Sequence, residues 1–432
     1  MKPLKLNHTQ AASPSPSFVT LLQHLLRGSG GDFAMRLWDG TELRSAPSQA
    51  PRFSLVCRTP AALRALMLGG DPLRLAEAYL RDDLDIEGDL FAAIALKDRL
   101  QDFRPAWHQR LRIVLHTLML PRAGGPDAAP GYRQRVRRHT PRENREAIAF
   151  HYDLSNDFYG LWLDPAMVYS CAYFERPDAS LEQAQQAKLE HICRKLLLRP
   201  GERLLDVGCG WGALVIHAAQ HHGVHAHGIS LSRNQLEVAR ERIARAGLEG
   251  RVTVELRDYR ELEGEEGYDK IASVGMFEHV GLRRLPLYFA TVRRLLKPGG
   301  LFLNHGITNA TEGWRTSAGT RFINRYIFPD GQLDTIGNIQ RAMEAAGFEI
   351  VDVEALRSHY ALTLRQWIAR LESHHDEALR HVDESTYRAW RLYMAASTLE
   401  FESGGIGIYQ ILARGRADGT CELPLTRRHL YR

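Results

Sequence analysis

From about residue 200 onward the chain switches repeatedly between short apolar runs and segments whose apolar residues recur every three to four positions. The runs at 204–207, 224–229, 252–256, 270–274 and 300–304 are bounded by Gly, Pro or polar clusters, which predicts strands buried on both faces. Segments 213–220, 234–246 and 288–296 carry the helical period, and alternating strands and helices predict a mostly parallel sheet. Two further runs, 348–355 and 406–413, predict a closing pair that brings the sheet to seven strands. The stretches 308–346 and 363–398 lie between strands and predict helical additions, which in such folds tend to build the substrate side. A helix over 181–197 leads into the first strand. Nearer the N-terminus, 33–38, the turn Asp39-Gly40 and 53–57 predict antiparallel strands, and 61–68 and 73–80 predict helices.

The chain has 432 residues and 44% hydrophobic content, enough to bury two cores. An α+β domain is expected over 1–120, a linker over 121–145 and a larger α/β domain over 146–432. Lys and Arg number 56 against 51 Asp and Glu, a formal +5, so the distribution of charge matters more than its sum. In the linker, Pro121, Gly124, Gly125, Pro126, Pro130 and Gly131 precede Arg133, Arg135, Arg137, Arg138, Arg142 and Arg145, opposed only by Glu143. Such a run is either a solvated face or a contact for a polyanion. No recognition motif for nucleic acid accompanies it, so nucleic acid is not an expected partner, whereas an anionic lipid surface would gain about 1 kcal/mol per basic residue. The five cysteines are far apart with no metal-like spacing, which predicts a reducing compartment, no disulfide and no metal site. No apolar run approaches the roughly 20 residues of a membrane span. Ser13-Pro-Ser-Pro-Ser17 interrupts any secretory signal, so a cytoplasmic protein, at most peripheral on the inner face of the membrane, is expected.

Candidate chemistry concentrates at the end of the first strand. There Leu-Leu-Asp-Val-Gly-Cys-Gly-Trp-Gly (204–212) places Gly208, Gly210 and Gly212 between a strand and a helix, where a backbone without side chains can approach a ligand. No Lys-Ser/Thr follows, which disfavours a nucleotide phosphate loop. Asp206 would repel a pyrophosphate and attract a cation. Upstream, 151–164 and 167–174 mix aromatics with His151, Asp153, Asn156 and Asp157, a combination that suits a site wall better than plain core.

These landmarks, with Gly228-Ile-Ser-Leu-Ser-Arg-Asn-Gln235, Arg257-Asp-Tyr259 and Leu-Lys-Pro-Gly-Gly (296–300), resemble the class I S-adenosylmethionine-dependent methyltransferases, which implies a Rossmann-like α/β sheet. More narrowly, His-Tyr-Asp-Leu-Ser-Asn-Asp-Phe-Tyr (151–159), Tyr-Ser-Cys-Ala-Tyr-Phe (169–174), Gly275-Met-Phe-Glu-His-Val-Gly281, Phe302-Leu-Asn-His-Gly-Ile307 and 322–331 resemble the cyclopropane-fatty-acyl-phospholipid synthases. The resemblance runs from about Arg142 to Ala413. It implies cofactor contacts from Asp206 and the glycine turn, from Ser230, Leu231, Asn234 and Gln235, from Asp258 and Tyr259 beside the adenine, and from Tyr169 and Ser170 at the methionine end. It also implies a bound bicarbonate as base, held by Cys171, Glu278, His305 and Tyr360 with the backbone of Ile307. The implied substrate is the cis double bond of an unsaturated phospholipid chain, and the product a cyclopropane. A methyl-branched or methylene product, or a lipid-binding protein with a vestigial catalytic domain, are the alternatives, and a homodimer is left open. Some relatives carry a cysteine where Ser397 stands, so no role is expected of that side chain. Residues 78–91 are similar to a segment of sterol-carrier-type lipid domains, with a plain packing domain as the other reading.

Overall fold

The computed structural model describes residues 13–29, 31–47, 49–68, 71–100, 107–121, 154–262, 267–314, 316–329, 331–416 and 423–431. Residues 122–145 of the expected linker, with all six arginines, lie outside them, as do His151, Asp153 and Cys421. Contacts divide the chain into two compact units, Met1–Gly131 with Ser317–Phe322 and Asp383–Ala396, and Tyr132–Thr316 with Ile323–Val382 and Ser397–Arg432.

In the first unit, α1 (Pro16–Gly28) precedes β1 (Phe33–Arg36), β2 (Glu42–Arg44) and β3 (Phe53–Cys57), then α2 (Pro60–Met67), α3 (Pro72–Leu80), β4 (Leu84–Gly88), α4 (Leu90–Leu100) and α5 (Trp107–Leu118). Thr59 and Asp71 cap α2 and α3 through their side chains, each followed by a proline in the first turn. The sheet order is β2-β1-β3-β4. The two runs expected to pair antiparallel, β1 and β3, are instead parallel neighbours. The turn at Asp39-Gly40 delivers the chain into β2, which makes the antiparallel pair with β1. That strand is three residues long, too short to show as an apolar run. Two segments expected in the larger domain cluster with this unit. Arg321 bonds Asp71 at 2.6 Å, and the buried Arg388 pairs with Asp82 at 2.8 Å while donating to the Tyr79 carbonyl at 3.1 Å.

The second unit holds α6 (Asn156–Gly160), α7 (Leu181–Lys195), β5 (Arg203–Val207), α8 (Ala213–His222), β6 (His225–Ser230), α9 (Arg233–Arg245), β7 (Val252–Leu256), β8 (Tyr268–Val274), α10 (Leu285–Leu295) and β9 (Leu296–Asn309). Along the chain there follow α11 (Ala318–Tyr326), α12 (Ile336–Ala345), β10 (Phe348–Ala355), α13 (Arg357–Ser373), α14 (His375–Ala378), α15 (Glu384–Ser403) and β11 (Ile406–Gly415). The seven-stranded order β10-β11-β9-β8-β5-β6-β7 is parallel except for β11, which runs antiparallel to both neighbours. Successive residues of β5 point to opposite layers: Leu204 joins the core under α7, α8 and α9, and Leu205 the core under α10 and α12. From β5 the chain proceeds to β6 and β7 on one side and crosses to β8 on the other. The switch point between β5 and β8 opens a crevice at their carboxyl ends, the usual ligand position in such sheets. One strand is longer than expected. The run at 300–304 lies inside β9, because pairing with β11 continues from Leu301 to Asn309, and this extension carries His305 and Ile307.

Candidate active site

The glycine turn leaves β5 at Val207. Gly208 has φ +89, a left-handed conformation that disfavours any side chain, and its N–H and that of Cys209 both donate to the Ile229 carbonyl at 2.9 Å. The turn is therefore tied to the end of β6, and a cavity lies beyond it. Its wall includes Asp206, Gly208 and Gly210 from the turn, Ser230, Leu231 and Gln235 after β6, Asp258 and Tyr259 after β7, and Tyr169 and Ser170 from the segment before α7. Gly212 and Asn234 are not in that wall. Gly212 caps α8, and a Cβ there would stand 3.2 Å from Ala239 of α9, so it serves helix packing. The Asn234 carbonyl accepts from the Asn156 amide at 3.3 Å.

Each wall segment is locally braced. Ser232 caps α9 and the Ser230 hydroxyl donates to Gln235 Oε1 at 3.0 Å, which holds the β6 end in one shape. The Asp258 carboxylate is engaged by Arg260, with 2.8 Å to Nε and 2.6 Å to Nη2, while Tyr259 packs edge-on against Tyr288. The Trp211 indole donates to Asn156 Oδ1 at 2.8 Å, so the expected wall residue Asn156 secures the glycine turn from outside.

Lys188, which sequence reasoning missed, also lines the cavity. It is 2% exposed, and its ammonium donates to the Ser170 hydroxyl at 2.9 Å. Burial pulls its pKa down to about 8, resisted by the carboxylates of Asp164 and Asp206. Burial raises Asp206 to about 7, partly offset by Lys188. Asp206 Oδ1 is buried with no hydrogen-bond partner among the described residues. The site fits a cationic cofactor on that observation, since an orphaned buried carboxylate oxygen wants a cation or a donor. In the sequence Gln185, Lys188, His191 and Lys195 read as an ordinary polar helix face; the structure buries all four along α7.

Cys171, Glu278, His305, Ile307 and Tyr360 are not in this wall. After β8 ends at Val274, Gly275 N–H donates to the His305 carbonyl at 2.8 Å, and Glu278 Oε1 accepts from Ile307 N–H at 2.9 Å. The Glu278 carboxylate thus takes the place on the β9 edge that a continuing β8 would occupy. Its Oε2 is buried without a partner among the described residues, and burial raises the carboxyl pKa. His305 Nδ1 faces Gln410 Nε2 at 3.2 Å across the β9–β11 pair, while its Nε2 has no partner among the described residues. With the amide donating, Nδ1 is the acceptor and Nε2 carries the proton. Burial, seconded by Lys188, holds His305 well below the ordinary imidazole range, so it is neutral. Cys171 Sγ and the Tyr360 N–H share the Leu356 carbonyl, at 3.8 and 3.1 Å. The Tyr360 ring meets Trp367 at 6.0 Å, and Trp367 meets Tyr169 of the cavity wall at 5.3 Å. Glu278 and Ile307 are thus brought into direct contact, Cys171 and Tyr360 share one carbonyl, and Gln410 is a partner of His305 that sequence reasoning missed. Tyr173 stacks between His191 and His359.

One cluster was not announced by spacing. Cys193, His217 and His222 bring ligand-type atoms within 4.8 Å of one another. Both imidazoles already bond the Glu190 carboxylate, at 3.2 and 3.1 Å.

Comparison with known proteins bears on this geometry. The profile of the family described as "Mycolic acid cyclopropane synthetase" matches residues 139–411. A relative from Pseudomonas putida named "Probable fatty acid methyltransferase" is 42% identical over 401 residues, 92% of this chain and 96% of its own. The cyclopropane-fatty-acyl-phospholipid synthase of Escherichia coli (strain K12) is 40% identical over 270 residues, 62% of this chain and 68% of its own. The crystal structure of mycolic acid cyclopropane synthase CmaA1 complexed with SAH and CTAB is similar with a TM-score of 0.60 at 36% identity, covering 62% of this chain and 98% of that one. With the glycine turn, the cationic-ligand cavity and the motifs around it in place, this chain belongs to the mycolic acid cyclopropane synthetase family of S-adenosylmethionine-dependent methyltransferases.

Proposed function

We propose that the protein transfers a one-carbon unit from S-adenosylmethionine to the cis double bond of an unsaturated phospholipid chain and closes a cyclopropane, with bicarbonate as the base. The observation that carries this reading is that Glu278 Oε2 and His305 Nε2 are both buried without a partner among the described residues, while the other Glu278 oxygen is bonded to Ile307 N–H on the strand that carries His305. An acceptor and a donor left open there suit a small group offering both a hydroxyl and an anionic oxygen, as bicarbonate does. The cofactor supplies an electrophilic methyl. The alkene pair takes that methyl as the sulfur–carbon bond breaks toward sulfur, leaving a carbocation. A proton must then leave the transferred methyl for the base, and the freed electron pair closes the ring. In this scheme Glu278 accepts the base's hydroxyl, His305 donates to its oxygen, and the Tyr360 ring, among Trp367 and Phe401, lies where π faces could stabilise the passing cation.

A second reading has its own support. The relative aligned over nearly the whole chain is named a fatty acid methyltransferase, whereas the cyclopropane synthase aligns over 62% of it. If a 1,2-hydride shift first moves the cation onto the methyl-bearing carbon, loss of a methyl proton to the base gives a methylene lipid instead of a ring, and a methyl branch would further require a reductant. Incubation with S-adenosylmethionine and dioleoyl phospholipid vesicles, followed by mass spectrometry of the acyl chains, decides. The expected result is a gain of one CH₂ with loss of the alkene. A gain of CH₂ with the alkene retained would support the methylene product, and no gain across several lipids would defeat both enzyme readings.

Peripheral docking on an anionic bilayer belongs to the same proposal. No helix of the described residues is long and apolar enough to cross a membrane, so an acyl chain must be drawn up from the surface. On α5 and just after it, Trp107, Leu111, Leu115, Leu118 and Met119 are all exposed, Trp107 at 77% and Met119 at 75%. At helical spacing these form one apolar face, and the arginine run of 133–145 begins 14 residues after Met119 in sequence, which favours a lipid occupant of negative charge. Changing Leu111 and Leu115 to Ser, or Arg133, Arg135, Arg137 and Arg138 to Gln, is expected to lower vesicle co-sedimentation, and the arginine variant should lose the salt sensitivity of binding. Unchanged co-sedimentation of both variants, with a shift from dimer to monomer in sedimentation velocity, would assign the face to self-association instead.

A further inference from the structure

We propose that Lys188 and the Ser170 hydroxyl form the subsite for the α-carboxylate of the cofactor's amino-acid end, opposite Asp206, which takes the α-ammonium. This rests on the S-adenosylmethionine reading of the cavity and adds to it a residue and a polarity. Lys188 projects from the polar stripe of α7, is buried, and lines the cavity. Of its three hydrogens, one is used by Ser170. Ser170 is itself fixed by its own carbonyl, which accepts from the Gln185 amide at 2.9 Å, so the hydroxyl and the ammonium are presented together by one helix.

The charges around Lys188 show why a ligand is wanted there. Asp164, which contributes to its field, has its carboxylate occupied by the N–H groups of Ala166 and Val168 at 2.9 Å each. Asp206 keeps an oxygen open. Among the described residues the methionine end of the cavity therefore offers one buried ammonium with donors to spare and one buried carboxylate with an open acceptor. A zwitterionic amino acid satisfies both without changing net charge, and in a dry site such matched pairing is stronger than either contact in water. A phosphate or a neutral ligand would satisfy only one of the two.

The test separates carboxylate recognition from a structural role. Calorimetric titration of the full chain with S-adenosylhomocysteine and with its decarboxylated analogue, S-adenosyl-3-thiopropylamine, measures what the carboxylate contributes. The parent is expected to prefer the carboxylate-bearing ligand by about tenfold or more, and Lys188→Met to abolish that preference while binding the decarboxylated analogue as the parent does. Ser170→Ala should reduce the preference in the same direction by less. Equal affinity of the parent for the two ligands would overturn the proposal even if Lys188→Met failed to fold. Parallel loss of both ligands in a folded Lys188→Met, or loss of neither, would overturn it as well. A parent that bound neither ligand would instead defeat the cofactor reading on which it rests.

Discussion

Glu278→Gln is expected to slow turnover by about 2–4 kcal/mol in activation free energy, roughly 30- to 900-fold, with affinity for S-adenosylhomocysteine nearly unchanged. The two halves of that expectation come from different atoms. Glu278 is not in the wall of the cofactor cavity, whereas its neighbours Met276, His279 and Val280 are, so the isosteric amide leaves the cofactor's surroundings in place. Its oxygen can still accept from Ile307 N–H, which keeps the loop on the β9 edge. What the amide cannot do is offer Oε2 as an acceptor, since an NH₂ now stands there and would face the hydroxyl of the proposed base donor to donor. The measurement is steady-state turnover on oleoyl vesicles beside calorimetric titration of the cofactor product. A matching fall in cofactor affinity would move Glu278 into the cofactor shell. Wild-type turnover would remove it from the chemistry.

Much of the catalytic unit could be read from residue order because its central strand is buried on both faces and its edge strand alternates. The apolar run 204–207 and the alternating run 252–256 both stand between helical segments, and the matching strands β5 and β7 are where the pattern put them. That Asp206, Ser230 and Asp258 share one cavity was legible for a related reason: a glycine turn after a strand has a fixed relation to the next strand end, so the three line it together. Less legible were features that depend on packing between distant segments. Lys188 sits in a helix whose polar stripe looks like a solvent face until the strands beyond it are known. Gln410 matters only because the antiparallel return of β11 sets it opposite His305. In the first unit the three-residue β2 was invisible, and with it the true partner of β1. The exposed apolar face of α5 was hidden by interleaved Arg and His, which dilute its hydrophobicity without breaking its spacing.

Gly306→Ala is expected to cost stability and activity together, by a route that needs no ligand. A Cβ at Gly306 would come within 2.1 Å of Phe277 Cε1 and 2.6 Å of its Cδ1, and 3.0 Å from Glu278 Oε2. Gly306 lies within β9, paired with Tyr409 of β11, so the backbone cannot retreat without breaking the ladder. Phe277 is buried in the core under α10 and α12 and shares a single 3-10 turn with Glu278. Any shift of the ring large enough to admit a methyl therefore displaces the carboxylate from Ile307 N–H. Overpacking of this kind costs about 1–3 kcal/mol, and the accompanying displacement of Glu278 should bring turnover at least as low as Glu278→Gln does. The checks are the urea unfolding midpoint and turnover measured on the same preparation. A variant with parental stability and parental turnover would mean that Phe277 can swing aside without moving Glu278. That outcome would break the link between the sheet edge and the Glu278 carboxylate.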